Sequence, residues 1–215
     1  MVEVAEKVGF ELRAGFGFGD GFHPVTIEAG SANMQVAASA EDCDEKQGSV
    51  MDPITYVYVY PASYAVQTNE RYRCSILIFP NCQIPKKANI TSALMQFFRR
   101  WPLDPAHDMN VDLYGNLVAD AKNATDEPDI TGRARTTATV EWAEDGIGLN
   151  WINSPSIVDI IQEIVDQGTW ESGNAIAILF IAKYGTGIPW KQFQAYAWDT
   201  DPDWAAKLLV QWGAS

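Results

Sequence analysis

NAIAILFIAK, residues 174–183, contains the longest apolar run of this chain, Ala175 to Ala182. Every position between its terminal asparagine and lysine is apolar, and isoleucine recurs through it. A run of this length that is apolar at both odd and even positions is typical of a strand covered on both faces. The stretch therefore predicts a central β-strand with an apolar layer on each side.

Further strand candidates lie on both sides of this stretch. Residues 135–142 (RTTATVEW) and 90–99 alternate with a period of two, and residues 54–60 (ITYVYVY) and 74–79 (CSILIF) are dense in β-branched and aromatic side chains. Shorter candidates lie at residues 25–27, 34–38, 110–116, 192–198 and 207–212. An acidic turn is predicted over residues 41–45.

One helix is predicted, over residues 156–167. Its apolar side chains follow helical spacing and form a single stripe: Ile157, Ile160, Ile161, Ile164 and Val165. Ser156 with Asp159 resembles a capping box, and Gly168 is a stop signal. Many strands with one short helix predict an all-β chain, an antiparallel β-sandwich over residues 24–215.

Residues 2–22 form a separate pattern, with apolar side chains at almost every even position. Fully extended they would reach about 70 Å, whereas a globule of this size is about 45 Å across. The segment therefore folds back as edge strands of the sandwich or extends to a neighbouring molecule. Glycines between the phenylalanines favour an extended N-terminal arm over residues 1–23. Its partner-binding side chains would be Val8, Phe10, Leu12, Phe16, Phe18 and Phe22.

Composition narrows the range of partners. The net charge of −13 and the pI near 4.4 oppose nucleic acid as a partner, because that affinity comes from clustered Lys and Arg. No stretch approaches the roughly 20 apolar residues of a membrane helix, and no secretory signal is evident. Three cysteines without zinc-like spacing predict reduced, partly buried thiols.

Signals for catalysis are weak. Only two histidines, His23 and His107, are present, and no phosphate-binding loop or nucleophile elbow appears. Acidic segments at residues 42–45 and 199–203 could offer oxygen ligands to Ca²⁺, but neither has EF-hand spacing and solvated turns are favoured. We expect a protein that is not an enzyme and has no cofactor or metal.

Eight tryptophans raise the possibility of sugar binding, because aromatic rings stack on pyranose faces. Trp142, Trp198 and Trp212 lie at strand ends, where a core or rim role is expected. The candidate ligand platform consists of four tryptophans in loop-like contexts: Trp101, Trp151, Trp190 and Trp204.

Several motifs resemble a jelly-roll-like β-sandwich module of tailed-bacteriophage virion proteins and large bacterial surface proteins. Residues 84–94 (IPKKANITSAL) resemble the pattern IP-x-GA-x-I-x-SA-x-L, except that Lys87 and Asn89 stand where that pattern has glycine and a small residue. The other matching segments are residues 135–142, 154–157, 161–165, 170–176 and 207–210, with residues 41–44 as an early acidic turn.

The resemblance implies a structural role without catalytic residues. It points to a capsid decoration or cement protein, made in the host cytoplasm and located in the virion, that forms homo-oligomers on the particle and binds the major capsid or another virion protein. No nucleic acid or membrane partner is expected. The alternative is a carbohydrate-binding or adhesion β-sandwich module.

Overall fold

A computed structural model of the 215-residue chain describes residues 26–46, 49–51, 56–59, 73–99, 109–123, 130–144, 150–182 and 193–214. The predicted N-terminal arm lies outside these ranges. The strands of the described residues are β1 (Gly30–Gln35), β2 (Asp42–Lys46), β3 (Ser49–Met51), β4 (Tyr56–Val59), β5 (Arg73–Phe79), β6 (Asn89–Phe98), β7 (Met109–Asn116), β8 (Arg135–Glu144), β9 (Trp151–Asn153), β10 (Ile176–Ala182), β11 (Phe193–Tyr196) and β12 (Lys207–Gly213).

These strands form two main antiparallel sheets. One has four strands in the order β1-β12-β6-β9, and the other has six in the order β3-β2-β5-β10-β7-β8. Strands β4 and β11 pair separately. The predicted antiparallel β-sandwich with one short helix is confirmed.

The main core lies between the two sheets. Phe97 from the four-stranded sheet packs edge-on against Phe180 from the six-stranded sheet, with ring centroids 5.9 Å apart, and lies 5.4 Å from Trp142. All three rings are buried. Aromatic contacts of this kind add about 0.5–1.5 kcal/mol to the burial of apolar area, so they help to hold the two sheets together.

Strand β10 is central, as its sequence predicts. It lies between β5 and β7, and Ile178 and Phe180 face the main core. The opposite side of the strand contributes Ala177 and Leu179 to a second buried cluster. Residues from the loops after β7, including Ala121 and Ile130, complete that cluster and cover the outer face of the six-stranded sheet.

The helix α1, Val158–Val165, contacts β6 in one sheet and β7 and β8 in the other. The predicted apolar stripe is fully buried, from Ile157 to Val165. The predicted capping box is wrong: the N-cap is Ile157, and no side chain caps the helix. Its first turn is instead fixed by packing and by the backbone N–H of Ile157, which donates to the carbonyl of Ala93 at 2.9 Å.

Two polar side chains of α1 bind the backbones of both sheets. The amide of Gln162 accepts from Ile90 N–H at 2.9 Å and donates to the Ala88 carbonyl at 3.0 Å. The carboxylate of Glu163 accepts from the N–H groups of Thr137 and Ala138, at 2.8 and 2.9 Å. Those two amides lie where the register of β8 against β7 shifts, so Glu163 satisfies donors at an irregular part of an edge strand.

Several strand predictions need correction. The first described strand is Gly30–Gln35 and not residues 25–27 and 34–38; described residues 26–29 are not strand. The predicted acidic turn is strand β2, and the three-residue strands β3 and β9 were not predicted. One position beyond Gln35, the last residue of β1, Val36 N–H donates to the Ala206 carbonyl at 3.1 Å.

The turn before β6 places a lysine in a backbone conformation that favours glycine. Lys87 has a φ of 58°, in the left-handed region, and Ala88 N–H closes the turn on the Pro85 carbonyl at 3.1 Å. A Cβ atom makes this conformation unfavourable by about 1–2 kcal/mol. The lysine is therefore accommodated in a turn whose backbone still favours glycine.

We expect Lys87→Gly to stabilise the protein by about 0.5–1 kcal/mol, because relief of the left-handed strain outweighs the greater freedom of glycine in the unfolded chain. The urea midpoint at constant m-value measures it. Lys87→Ala is the matched control, since it removes the same side chain but keeps Cβ, and should bring no gain. Equal midpoints for the two variants would contradict this explanation.

Candidate functional site

One face of the sandwich lacks a covering layer within the described part of the chain. It is the outer face of the four-stranded sheet, where strand parity and register place the side chains that point away from the core. We call it the amide face, and none of its side chains is buried. Its members are Ser31, Asn33, Gln35, Ser92, Leu94, Gln96, Phe98, Trp151, Asn153, Lys207, Leu209 and Gln211.

The chemistry of the amide face differs from that of the whole chain. The protein has 28 acidic residues and a net charge of −13, yet none of the twelve side chains on this face is a carboxylate. Five are amides, and Lys207 carries the one charge of the set. Amides both donate and accept hydrogen bonds, so the face is polar without being acidic.

An aromatic cluster lies at one end of the face, centred on Phe98. The ring of Trp204 stacks on Phe98 with centroids 4.6 Å apart, and Trp151 meets Phe98 edge-on at 5.5 Å. The ring centroid of Tyr196 lies 4.7 Å from that of Trp204 and 5.8 Å from that of Phe98. Trp151 is exposed over 37% of its surface.

The backbone explains why these rings meet. Strand β9 pairs with the end of β6, so that Trp151 lies opposite Phe98. Trp204 is carried by a 3₁₀ turn, Pro202–Trp204, that begins where the Asp201 carboxylate accepts from Asp203 N–H at 3.0 Å. Gln35 ties this turn to the sheet through bonds to the carbonyls of Pro202 at 2.7 Å and Ala205 at 3.1 Å.

Polar groups surround the exposed indole. The Lys207 ammonium lies 4.4 Å from the centre of the Trp151 ring, a cation–π contact. Gln96 Nε2 donates to Asn153 Oδ1 at 3.0 Å. Within the described residues the remaining polar atoms of this pair, Gln96 Oε1 and Asn153 Nδ2, have no hydrogen-bond partner. They offer one acceptor and one donor beside the ring.

A shallow depression of about 300 Å³ continues the face away from the aromatic cluster. Leu94 and Leu209 lie side by side on its floor, because β6 and β12 pair at that position. Asn33, Ser31, Ser92 and Gln211 line it with polar groups. The amide face thus has an aromatic end and an amide-lined trough.

The predicted sites fall partly on this face. Trp151 and Trp204, two of the four predicted platform residues, join in the aromatic cluster, although Trp151 lies in a strand and not in a loop. Trp101 and Trp190 lie outside the described residues, as do His23, His107 and the six arm side chains. Trp142 and Trp212 are buried and Trp198 packs against the core, as predicted. Sequence reasoning missed Phe98, Tyr196 and Lys207.

The two acidic segments have structural roles. Asp42 and Asp44 in β2 are 1% and 0% exposed; Asp42 Oδ2 accepts from Trp198 N–H at 2.7 Å, and Asp44 Oδ1 accepts from Ser75 Oγ at 2.8 Å. The expectation of a solvated turn here is wrong, because these hydrogen bonds offset the burial of the carboxylates. In the described ranges no group of three or more His, Cys, Asp or Glu side chains is arranged to hold a metal ion.

Three shifted ionisable groups lie off the amide face. Burial raises the pKa of the Cys82 thiol to about 12 despite a backbone hydrogen bond, so this thiol stays protonated. Burial also raises the pKa of Glu41, although it accepts from Ala37 and Ala38 N–H. The pKa of Asp120 is lowered by the hydrogen bond from Ala175 N–H and then by Lys122. Cys43, Cys74 and Cys82 are all buried, and none of them forms a disulfide.

Comparison with models of known protein families finds none that matches this chain, and comparison with curated proteins finds no sequence match either. Within the described residues, no helix has the length and apolarity needed to cross a membrane. The candidate site is therefore defined by its own geometry and chemistry.

Proposed function

We propose that this chain is a non-enzymatic structural protein of a bacteriophage virion, a capsid decoration or cement protein. The N-terminal arm, residues 1–23, attaches it to the major capsid protein or another virion protein. The β-sandwich is displayed from the particle, where copies of the chain form a homo-oligomer. The protein would act by binding virion proteins and other copies of itself, without a cofactor.

The observation that carries this proposal is the way the described chain enters the sandwich. Strand β1, which follows the arm in sequence, is an edge strand of the four-stranded sheet. Its start is fixed, since Trp212 Nε1 donates to the Glu28 carbonyl at 2.9 Å and a Cβ at Gly30 would lie 2.5 Å from the Trp212 ring. This anchored edge is a suitable base for an arm that extends to a neighbour.

The composition of the arm supports tight attachment. Phe10, Phe16, Phe18 and Phe22 share one parity, so an extended arm presents them on one face. Burial contributes about 2 kcal/mol for each phenylalanine, from which the cost of ordering the arm is subtracted. Backbone hydrogen bonds to a sheet edge of the partner would add strand-like pairing, and repetition on a symmetric shell adds avidity.

Point variants of the arm test this proposal. We expect Phe16→Ser with Phe18→Ser, in the full-length protein, to abolish co-sedimentation with phage particles from the native lysate, because the apolar face is interrupted. The matched control is Lys7→Ser with Arg13→Ser, which changes two residues of the opposite parity and should leave co-sedimentation largely intact. Equal retention of both double variants on the particles would contradict attachment through the phenylalanine face.

A further inference from the structure

The amide face is the described surface with the clearest binding chemistry, and attachment through the arm does not use it. We propose that it binds a neutral polysaccharide, with Trp151 as the stacking platform and Gln96, Asn153 and the amides of the trough as hydrogen-bonding groups. This activity is separate from the proposed attachment to a particle and does not depend on it.

The dimensions of the face favour a linear polymer over a protein partner. Four strands span about 15 Å across the sheet and seven residues of β12 about 20 Å along it, which gives roughly 300 Å². A stable protein interface buries roughly 800 Å² on each partner. The flat outline of the face is well below that value, whereas its length of about 20 Å accommodates a few consecutive sugar rings.

Its hydrogen-bonding groups also favour a polyhydroxyl ligand. A protein that covered Asn33, Gln96, Asn153 and Gln211 would have to supply a partner for each amide, since an unpaired buried polar group costs about 1–3 kcal/mol. A sugar chain carries hydroxyl groups that donate and accept along its length, and it leaves the face accessible to water. Leu94 and Leu209 would contact the C–H surfaces between the hydroxyls.

The position of the exposed indole is fixed before binding. Phe98 meets Trp151 from across the strand pair, and Lys207 lies against its ring. Phe98 in turn is held by the stacked Trp204. Because these contacts already fix the Trp151 indole, it loses little freedom when a pyranose stacks on it, and the entropic cost of binding is lower.

The negative charge of the protein favours neutral over acidic polysaccharides. The face has no carboxylate to clash with a ligand, but the whole chain carries −13 and repels polyanions over a Debye length of about 8 Å at physiological salt. Lys207 is a single cation and is engaged with Trp151. We therefore expect neutral hexopyranose chains to bind better than polyuronates.

Affinity electrophoresis and a glycan array provide the test. The probes are β-1,4-glucan, β-1,3-glucan, mannan and chitin fragments as neutral chains, with polygalacturonate as the anionic comparison. We expect the full-length protein to bind at least one neutral chain, and Trp151→Ala to weaken that binding about tenfold or more while the melting temperature falls by no more than about 4 °C. Trp151→Tyr should restore part of the affinity, and Asp159→Asn, at an exposed position of α1, should have no effect.

Three results would overturn the proposal. They are no retention by any neutral chain, unchanged retention of Trp151→Ala, and retention by polygalacturonate alone. Self-association that Trp151→Ala abolishes would identify a second copy as the occupant and would also overturn it. Loss of sugar binding leaves particle attachment intact, so the failure of this inference is distinct from the failure of the arm proposal.

Discussion

Trp170→Ala is expected to lower the free energy of unfolding by about 3–5 kcal/mol, a large fraction of the stability of a typical domain. Trp170 is completely buried in the main core, and its indole N–H donates to the Ile84 carbonyl at 3.1 Å. Removal of the Trp170 indole leaves a cavity, and the Ile84 carbonyl loses its hydrogen-bond donor. The effect is large because the residue joins the end of α1 to the loop between β5 and β6.

Thermal and urea unfolding measure this prediction, and the melting temperature should fall by roughly 10 °C. Trp151→Ala is the matched control, the same substitution at an indole that is 37% exposed, and should cost about 1 kcal/mol. Trp170→Phe should lie between the two, since it keeps most of the volume and loses the N–H. Equal losses for the two alanine variants would contradict the assignment of Trp170 to the core.

The elements that could be predicted from the sequence are those with a simple pattern of apolar side chains. Strand β10 is apolar on both faces and α1 has an unbroken helical stripe, so both are found close to their predicted bounds. The acidic residues at β2 predicted a turn, but Asp42 and Asp44 are buried in a strand. Their carboxylates accept hydrogen bonds from Trp198 N–H and Ser75 Oγ. Trp198 and Ser75 are distant from β2 in sequence, so the local sequence pattern could not predict these hydrogen bonds.

The candidate site could be predicted only in part, for a related reason. Tryptophan between polar residues pointed to Trp151 and Trp204, but Phe98 and Tyr196 resemble ordinary strand residues. Their meeting depends on the pairing of β6 with β9 and on the turn that Gln35 anchors. The absence of carboxylates from the amide face becomes apparent only when β1, β6, β9 and β12 are placed side by side.

Deletion of residues 1–22 has the largest expected effect on function. Residues between Gly30 and Gly213 form both main sheets and supply the buried side chains of the main core. The shortened protein should therefore keep a cooperative unfolding transition, with a melting temperature within about 2 °C of the full-length value. It should lose the proposed attachment to phage particles, because all six side chains proposed to bind the partner are removed.

Sedimentation of the purified full-length and shortened proteins with particles from the native lysate tests attachment through the arm. We predict that the full-length protein sediments with the particles, while the shortened protein remains folded, monomeric and in the supernatant. Co-sedimentation of both proteins to the same extent would contradict attachment through the arm. Unfolding of the shortened protein would instead show that residues 1–22 belong to the sandwich itself.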